Sequence, residues 1–221
     1  MGGPGVGTVS DEKEVVLPAG NLGLHGIITL PPGASAFVLF AHGSGSSRHS
    51  PRNKLVAAAL NRSGIGTLLM DLLTPEEDCV QARRFDVDLL AGRLLRATEW
   101  IVQQSDMALP LGYFGASIGA AASIRAASLS PIRIGAIVSR GGRVDLAGTD
   151  ALKKLLAPTL LIVGGFDTSV IERNEFAFAM LTCQKELAIV PGATHLFEEP
   201  GTLESVARLA TQWFTRHLGG A

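Results

Sequence analysis

Short apolar runs and segments of helical period follow one another along the chain, and this order predicts an α/β fold. The apolar runs have the length and continuity of strands that helices bury on both faces. They lie at residues 36–41, 65–70, from 111 onwards, 134–139, 158–163 and 186–190. Segments of helical period are predicted at residues 51–60, 86–104, after Ser117, 151–156, 170–181 and around 206–213. Strands and helices in alternation specify a mostly parallel sheet covered by helices on both faces.

The first part of the chain has a different pattern. Residues 14–17 and 22–30 are β-prone runs separated by a Pro-Ala-Gly-Asn turn at 18–21. They predict an antiparallel hairpin at one edge of the sheet, which brings the total to about eight strands. Residues 1–13 are predicted to be a flexible leader, and residues 14–221 are predicted to be a single domain.

Composition excludes several classes of function. The 221 residues are 47% hydrophobic with a formal net charge of -1, which argues against nucleic-acid binding and favours a small soluble substrate. No membrane-spanning run or targeting segment is recognisable, so we expect a cytoplasmic protein without a membrane partner. Cys79 and Cys183 form no CxxC motif, and we expect neither a disulfide nor a zinc site. The oligomeric state stays open.

The apolar run that begins at Leu111 leads directly into a GxSxG motif at residues 115–119. With a strand before it and a helix after it, the motif predicts a tight turn that exposes the Ser117 hydroxyl above the sheet edge. The two glycines and the small Ala116 permit so sharp a reversal of the backbone. A chain with 26 glycines also produces GxSxG by chance, so the motif alone does not establish a nucleophile.

Two further residues of the right chemistry follow predicted strand ends. Asp167 comes after the run at 158–163, and His195 comes after the run at 186–190. Carboxyl ends of parallel strands meet at one edge of a sheet, where ligands bind in such folds. A serine nucleophile needs a histidine base and a carboxylate that orients it, and GxSxG hydrolases carry them in the order Ser, Asp, His. The sequence therefore predicts a triad of Ser117, Asp167 and His195, with Asp145 as the alternative acid.

The loop after residues 36–41 begins His42-Gly43-Ser44 and predicts exposed backbone amides. We expect the amides of Ser44 and Ile118 to form an oxyanion hole, with Gly43 as the alternative to Ser44. The loop is not a phosphate-binding P-loop, because no GK[ST] follows it. No carboxylate lies near His42 in sequence to complete a metal site, and we expect neither a metal ion nor a cofactor.

Four short segments carry a recognisable family pattern. They are Phe40-Ala-His-Gly-Ser44, Gly115-Ala-Ser-Ile-Gly119, Gly164-Gly-Phe-Asp167 and Gly192-Ala-Thr-His195. Together they resemble the α/β-hydrolase superfamily, and within it the dienelactone-hydrolase-like branch, over nearly the whole chain after residue 14. The resemblance implies a three-layer α/β-hydrolase fold, and it extends to domains fused to, or found beside, phosphoribosyltransferases. Dienelactone hydrolases proper use a cysteine nucleophile, so the dienelactone substrate is not carried over to Ser117.

The sequence thus predicts a serine hydrolase that cleaves an ester or related acyl bond of a small soluble molecule. The segment between residues 139 and 158, where many relatives insert a lid, is short, and we expect no sizeable lid. Arg48 and Arg140 lie in or near loops at the site and are candidates for binding a substrate carboxylate. The competing interpretation is a companion or binding protein with the same fold, either without turnover or with acyl transfer to another acceptor.

Overall fold

The computed structural model describes residues 12–104 and 109–219. In this part of the chain, eight strands form one sheet. They are β1 (Glu12–Ala19), β2 (Leu22–Thr29), β3 (Ala36–Ala41), β4 (Ile65–Met70), β5 (Leu111–Ala116), β6 (Ile134–Arg140), β7 (Thr159–Gly164) and β8 (Lys185–Val190). The helices are α1 (Pro51–Arg62), α2 (Pro75–Asp78), α3 (Gln81–Arg84), α4 (Val87–Gln103), α5 (Ile118–Leu129), α6 (Thr149–Lys154), α7 (Thr168–Met180) and α8 (Thr202–Leu218). A 3-10 helix covers Val144–Ala147.

The sheet is mostly parallel, as predicted, with the strand order β1-β2-β4-β3-β5-β6-β7-β8. β2 pairs antiparallel with both β1 and β4, and every pair from β4 to β8 is parallel. The edge hairpin and the three-layer α/β class are therefore confirmed. β1 begins at Glu12, and residues 1–11 of the predicted leader lie outside the described residues.

Each face of the sheet has its own apolar core. On one face, Leu94 of α4 and Ala121 of α5 belong to a cluster that also includes side chains from α6 and α7. On the other face, Val56 of α1 and Phe214 of α8 pack in a cluster with Val138 of β6. Successive side chains of a strand point to opposite faces, so central strands between two helical layers are buried throughout. No helix within the described ranges is long and apolar enough to cross a membrane.

Two short helices, α2 and α3, lie between β4 and α4. Four residues carry no periodic signal, so the sequence did not predict helix α2 (Pro75–Asp78). Thr74 caps α2, and the Glu77 carboxylate accepts the backbone N–H of Thr74 at 3.0 Å. Arg93 of α4 donates to both carboxylate oxygens of Glu77, each at 2.7 Å. This long-range contact fixes α2 beside the carboxyl edge of the sheet.

The connection between β6 and β7 is short. It contains the 3-10 helix Val144–Ala147 and the six-residue helix α6. No sizeable lid is therefore inserted between these two strands, as the sequence predicted.

Candidate active site

Ser117 occupies a sharp turn between β5 and α5. Its φ of 51° and ψ of -121° are values that residues with a side chain rarely adopt, and such a conformation costs about 1 to 3 kcal/mol. The turn is held from both sides of the serine. The Ser117 N–H donates to the carbonyl of Arg140 at 3.2 Å, and the Ser117 carbonyl accepts the N–H of Arg143 at 3.0 Å. Contacts to the segment at the end of β6 thus support the strained backbone.

Both glycines of the motif are required by close backbone packing. A Cβ on Gly115 would lie 2.7 Å from the backbone nitrogen of Ala120, in the first turn of α5. A Cβ on Gly119 would lie 2.5 Å from the carbonyl oxygen of His42 and closer still to that of Ala41. The start of α5 therefore packs directly on the end of β3, and this contact brings Ser117 close to the loop after β3.

Gly119→Ala is expected to destabilise the protein, because rigid backbone atoms cannot move away from the added methyl group. Overpacking of this kind costs about 1 to 3 kcal/mol or more, which corresponds to a fall in melting temperature of about 3 to 10 °C for a chain of this size. Thermal unfolding measures the effect. Gly92→Ala is the matched control, since nothing lies within 4 Å of its added Cβ and alanine favours helix α4. An unchanged melting temperature for Gly119→Ala would contradict the packing described.

His195 and Asp167 form a hydrogen-bonded pair at the same edge of the sheet. Asp167 lies between the end of β7 at Gly164 and the start of α7, and its Oδ2 lies 2.6 Å from Nδ1 of His195. The carboxylate is an acceptor, so Nδ1 carries the proton and Nε2 keeps a free lone pair. The Asp167 side chain is 12% exposed and that of His195 is 39% exposed. The imidazole is therefore accessible to solvent, and the more buried carboxylate fixes its orientation.

Backbone contacts fix the two loops that carry this pair. The N–H of Phe166, next to Asp167, donates to the carbonyl of Ala193 at 2.9 Å. Phe197 is buried at a φ of 56° and anchors the other side of the histidine loop in the core. Gly141 lies against His195, where a Cβ would be 3.4 Å from Nδ1. Sequence reasoning missed Gly141, although a Gly-Gly pair directly after a strand was a signal for close approach.

Asp145, the alternative acid, has different partners. It lies in the 3-10 helix, and its carboxylate is paired with Arg143 at 2.8 Å and lies 3.9 Å from Arg173. In the structure, Asp167 therefore contacts His195, whereas Asp145 forms ion pairs with arginines.

The predicted oxyanion residues lie around a small cavity. Ser44 and Ile118 both line it, together with His42, Gly43, Leu73, Asp78, Arg84 and Leu90. Its volume is about 10 Å³, which is near the space that a single water molecule needs. Gly43 is packed so closely that a Cβ there would lie 3.2 Å from Cβ of Ser117. Residues of the loop after β3 and the first residue of α5 thus line a space about the size of one water molecule.

His42 fixes the shape of this loop, a role that the sequence did not reveal. Its Nε2 accepts the backbone N–H of Leu72 at 2.9 Å, so Nδ1 carries the proton and donates to the carbonyl of Gly43 at 2.8 Å. The residue is 5% exposed. Burial lowers the pKa of His42, and it outweighs the opposite influence of the Gly43 carbonyl and of the nearby carboxylates of Asp71 and Asp78.

The free energy of unfolding is expected to decrease as the pH falls below about 6.5, the ordinary pKa of histidine. Below this pH, His42 binds a proton in the unfolded state but stays neutral in the folded state. This difference lowers the free energy of unfolding by at most about 1.4 kcal/mol for each pH unit. Urea unfolding of wild type and His42→Gln at pH 5, 6 and 7 measures this. The variant should show a shallower decrease, and His49→Gln, which removes an exposed histidine of the same loop, is the control. Equal slopes for wild type and His42→Gln would contradict the assignment.

The two candidate substrate arginines have unlike environments. Arg48 pairs with Asp71 through its guanidinium, and its backbone N–H donates to the same carboxylate at 2.7 Å. Arg140 was placed by the sequence in a loop, but it is the last residue of β6 and is buried. Within residues 12–104 and 109–219, no group of three or more acidic, histidine or cysteine side chains has the arrangement of a metal site.

The open, mostly parallel sheet, the serine on a strained turn after a central strand and the histidine–aspartate pair at the same edge define the α/β hydrolase class. No family model matches the chain. The crystal structure of dienelactone hydrolase from Anabaena variabilis matches 95% of this chain and 99% of its own length, with a TM-score of 0.90 and 51% sequence identity. The chain belongs to the dienelactone hydrolase family.

More distant structures share the fold. Est1E from Butyrivibrio proteoclasticus covers 94% of this chain with 99% of its own, at a TM-score of 0.79 and 15% identity. Two curated relatives from Mycobacterium tuberculosis, each named "Putative phosphoribosyl transferase", are 54% identical over 210 residues, or 95% of this chain. The chain spans 47% of each of these relatives, about half their length. The structural neighbours support a hydrolase function for this chain.

Proposed function

We propose that this chain is a serine hydrolase that cleaves an ester or related acyl bond of a small soluble substrate. The observation that carries the proposal is the 2.6 Å contact between His195 and Asp167 at the sheet edge where Ser117 occupies its strained turn. Ser117 Oγ attacks the substrate carbonyl carbon while Nε2 of His195 takes the hydroxyl proton. Asp167 keeps the imidazole in the tautomer that can accept this proton and stabilises its charged form.

The reaction then passes through a covalent acyl-enzyme. The carbonyl oxygen becomes an oxyanion and accepts the amide N–H groups of Ile118 and Ser44, with Gly43 as the alternative to Ser44. His195 returns its proton to the departing alkoxide, and the alcohol leaves. Water next attacks the acyl group with His195 as the base, and this second step releases the carboxylic acid and restores Ser117.

A cavity beside the oxyanion residues suits a small substrate group. Its volume is about 210 Å³, and it shares His42, Leu73 and Asp78 with the oxyanion cavity. Arg48 and Asp71 form part of its wall. We infer that a short acyl or alkoxy group enters here, between the loop after β3 and helix α2. No step of this mechanism requires a metal ion or a cofactor.

Active-site labelling tests the proposal. A fluorophosphonate probe should react with the purified protein, and peptide mass spectrometry should find the adduct on Ser117. Prior denaturation of the protein serves as the control, because the hydroxyl is activated only in the folded site. Absence of labelling, combined with no hydrolysis across a panel of esters of different acyl length, would refute the proposal.

The curated relatives favour a second candidate, a domain that accompanies a phosphoribosyl transferase. They carry that name, and this chain matches about half of their length. In that case the chain is a binding domain without turnover, or it transfers an acyl group to an acceptor other than water. The labelling experiment separates a binding domain from an enzyme. Product analysis in the presence of added alcohols or amines separates acyl transfer from hydrolysis.

A further inference from the structure

Arg140 is a buried cation, and two of its side-chain nitrogens find no hydrogen-bond partner within residues 12–104 and 109–219. The residue is 8% exposed, and the unpartnered atoms are Nε and Nη1 of its guanidinium group. Arginine is rarely buried so far without a counter-charge, because removing the guanidinium from water is strongly unfavourable. Burial, together with repulsion from Arg52, lowers the pKa of Arg140 to about 10, so the side chain stays charged at neutral pH. The site therefore holds a positive charge that this part of the chain does not balance.

Arg140 lies beside the proposed nucleophile. It is the last residue of β6, opposite Ala116 of β5 and Ile162 of β7, and its carbonyl accepts the N–H of Ser117 at 3.2 Å. Neighbouring strands are about 4.8 Å apart. The backbones of Arg140 and Ser117 are therefore in direct contact.

Arg52 brings a second guanidinium to the same region. Arg140 and Val138 point to the same face of the sheet, the one that α1 and α8 cover. Arg52 lies in the first turn of α1, and its buried Nε has no partner among the described residues, while its Nη1 contacts Glu198 at 3.2 Å. The Arg52 side chain is 30% exposed, so it is partly accessible to solvent, unlike that of Arg140. The first turn of α1 contains no acidic residue, and the positive end of the helix adds to the attraction for an anion.

We propose that Arg140 and Arg52 bind an oxyanion group, a carboxylate or a phosphate, that is carried by the ester cleaved at Ser117. This inference rests on the proposed hydrolase function and narrows its substrates to anionic esters. A guanidinium donates parallel hydrogen bonds whose spacing matches both kinds of oxyanion. Both Arg48 and Arg52 have a carboxylate partner, but the Asp71 side chain that pairs with Arg48 is 15% exposed, whereas the Glu198 side chain that pairs with Arg52 is 64% exposed and is screened by solvent. Arg52 is therefore more available to an anion than Arg48.

The first test measures binding without turnover. In Ser117→Ala protein, in low-salt buffer free of other oxyanions, succinate or inorganic phosphate is expected to raise the melting temperature. The anion that gives the larger rise identifies the group as carboxylate or phosphate. The rise should disappear when Arg140→Met is added and persist when Arg216→Gln is added, since Arg216 is an exposed surface arginine. No rise in Ser117→Ala protein, or an equal rise after Arg140→Met, overturns the proposal.

Stability without anions separates a binding arginine from a structural one. Arg140→Met removes an unpaired buried charge, so its melting temperature should equal or exceed that of wild type in anion-free buffer. Arg140→Lys keeps the charge and should retain part of the response to anions. If Arg140→Met fails to fold, Arg52→Gln provides the same test, because it removes the partly exposed member of the pair and should reduce the rise.

The second test measures substrate preference. We compare mono-4-nitrophenyl succinate with 4-nitrophenyl butyrate, which has an acyl chain of the same length without the charge. If phosphate gives the larger rise in melting temperature in the first test, a phosphonate analogue replaces the succinate. The ratio of kcat/KM for the anionic ester to that for the neutral one should fall about 10- to 100-fold in Arg140→Met, as expected for lost hydrogen bonds to a charged group. It should stay unchanged in Arg216→Gln. An unchanged ratio in Arg140→Met overturns the proposal.

The two tests distinguish failure of this site from failure of the hydrolase. Anion-dependent stabilisation that requires Arg140, without hydrolysis of any ester, supports the anion site and refutes the proposed function. Hydrolysis that requires Ser117 but shows no preference for an anionic ester supports the function and refutes the anion site.

Discussion

Ser117→Ala is expected to lower kcat for ester hydrolysis by about 10,000- to 1,000,000-fold, the range found when a serine nucleophile of a triad is removed. The methyl group of alanine cannot attack the carbonyl, and no acyl-enzyme can form. Steady-state hydrolysis of a 4-nitrophenyl ester measures the loss. Ser128→Ala is the matched control, because this serine lies near the other end of α5 and its hydroxyl donates to the carbonyl of Arg125 at 2.8 Å.

Ser117→Gly separates lost chemistry from lost structure. Glycine adopts positive φ without strain, so this inactive variant should be more stable than wild type by about 1 kcal/mol. A higher melting temperature together with absent activity would show that the turn stores strain for the nucleophile. Hydrolysis retained by both Ser117 variants would mean that another residue carries the reaction.

The buried strands were predictable because helices cover both of their faces. In a strand such as Ala36–Ala41 every residue is buried, so the sequence there is continuously apolar. Such a short apolar run is readily interpreted as a buried strand. Parallel strands then place the residues after β5, β7 and β8 at one edge, so Ser117, Asp167 and His195 were expected to lie near one another. The parallel topology, together with the local GxSxG motif, was the basis of this prediction.

The sequence favoured Asp167 as the acid but left Asp145 as an alternative, because the choice of partner depends on distances between loops. Asp145 and Asp167 both follow a strand in sequence, and each is a carboxylate with access to the same edge. In the structure Asp145 takes Arg143, two residues away, whereas Asp167 takes His195, 28 residues away. Only the folded arrangement of the loops decides between them.

The environment of Arg140 could not be predicted from the sequence either, because it too depends on contacts between distant segments. An arginine at the end of an apolar run usually marks the exit of the chain to solvent. Here β6 continues through Arg140, because the residue pairs with Ala116 and Ile162 on its two sides. Residue type and spacing do not show that a buried charge lacks a partner, since this depends on every group packed around it.

Asp167→Asn is expected to lower kcat by about 10,000-fold, as in triads where the same change has been made. The asparagine amide can donate to Nδ1 of His195, which moves the imidazole proton to Nε2. In that tautomer His195 cannot accept the proton of Ser117. Hydrolysis of the same 4-nitrophenyl ester measures the effect, and an unchanged melting temperature would show that the loss is chemical.

Asp145→Asn is the matched control for the choice of acid. It removes the ion pairs with Arg143 and Arg173, which are partly exposed and contribute at most about 1 kcal/mol to stability. Activity should stay within a few-fold of wild type, because no contact joins Asp145 to His195 in the described part of the chain. A large loss in Asp145→Asn with little loss in Asp167→Asn would reverse the assignment. It would require the loop after β6 to move toward His195 during the reaction, since the folded resting state pairs the imidazole with Asp167.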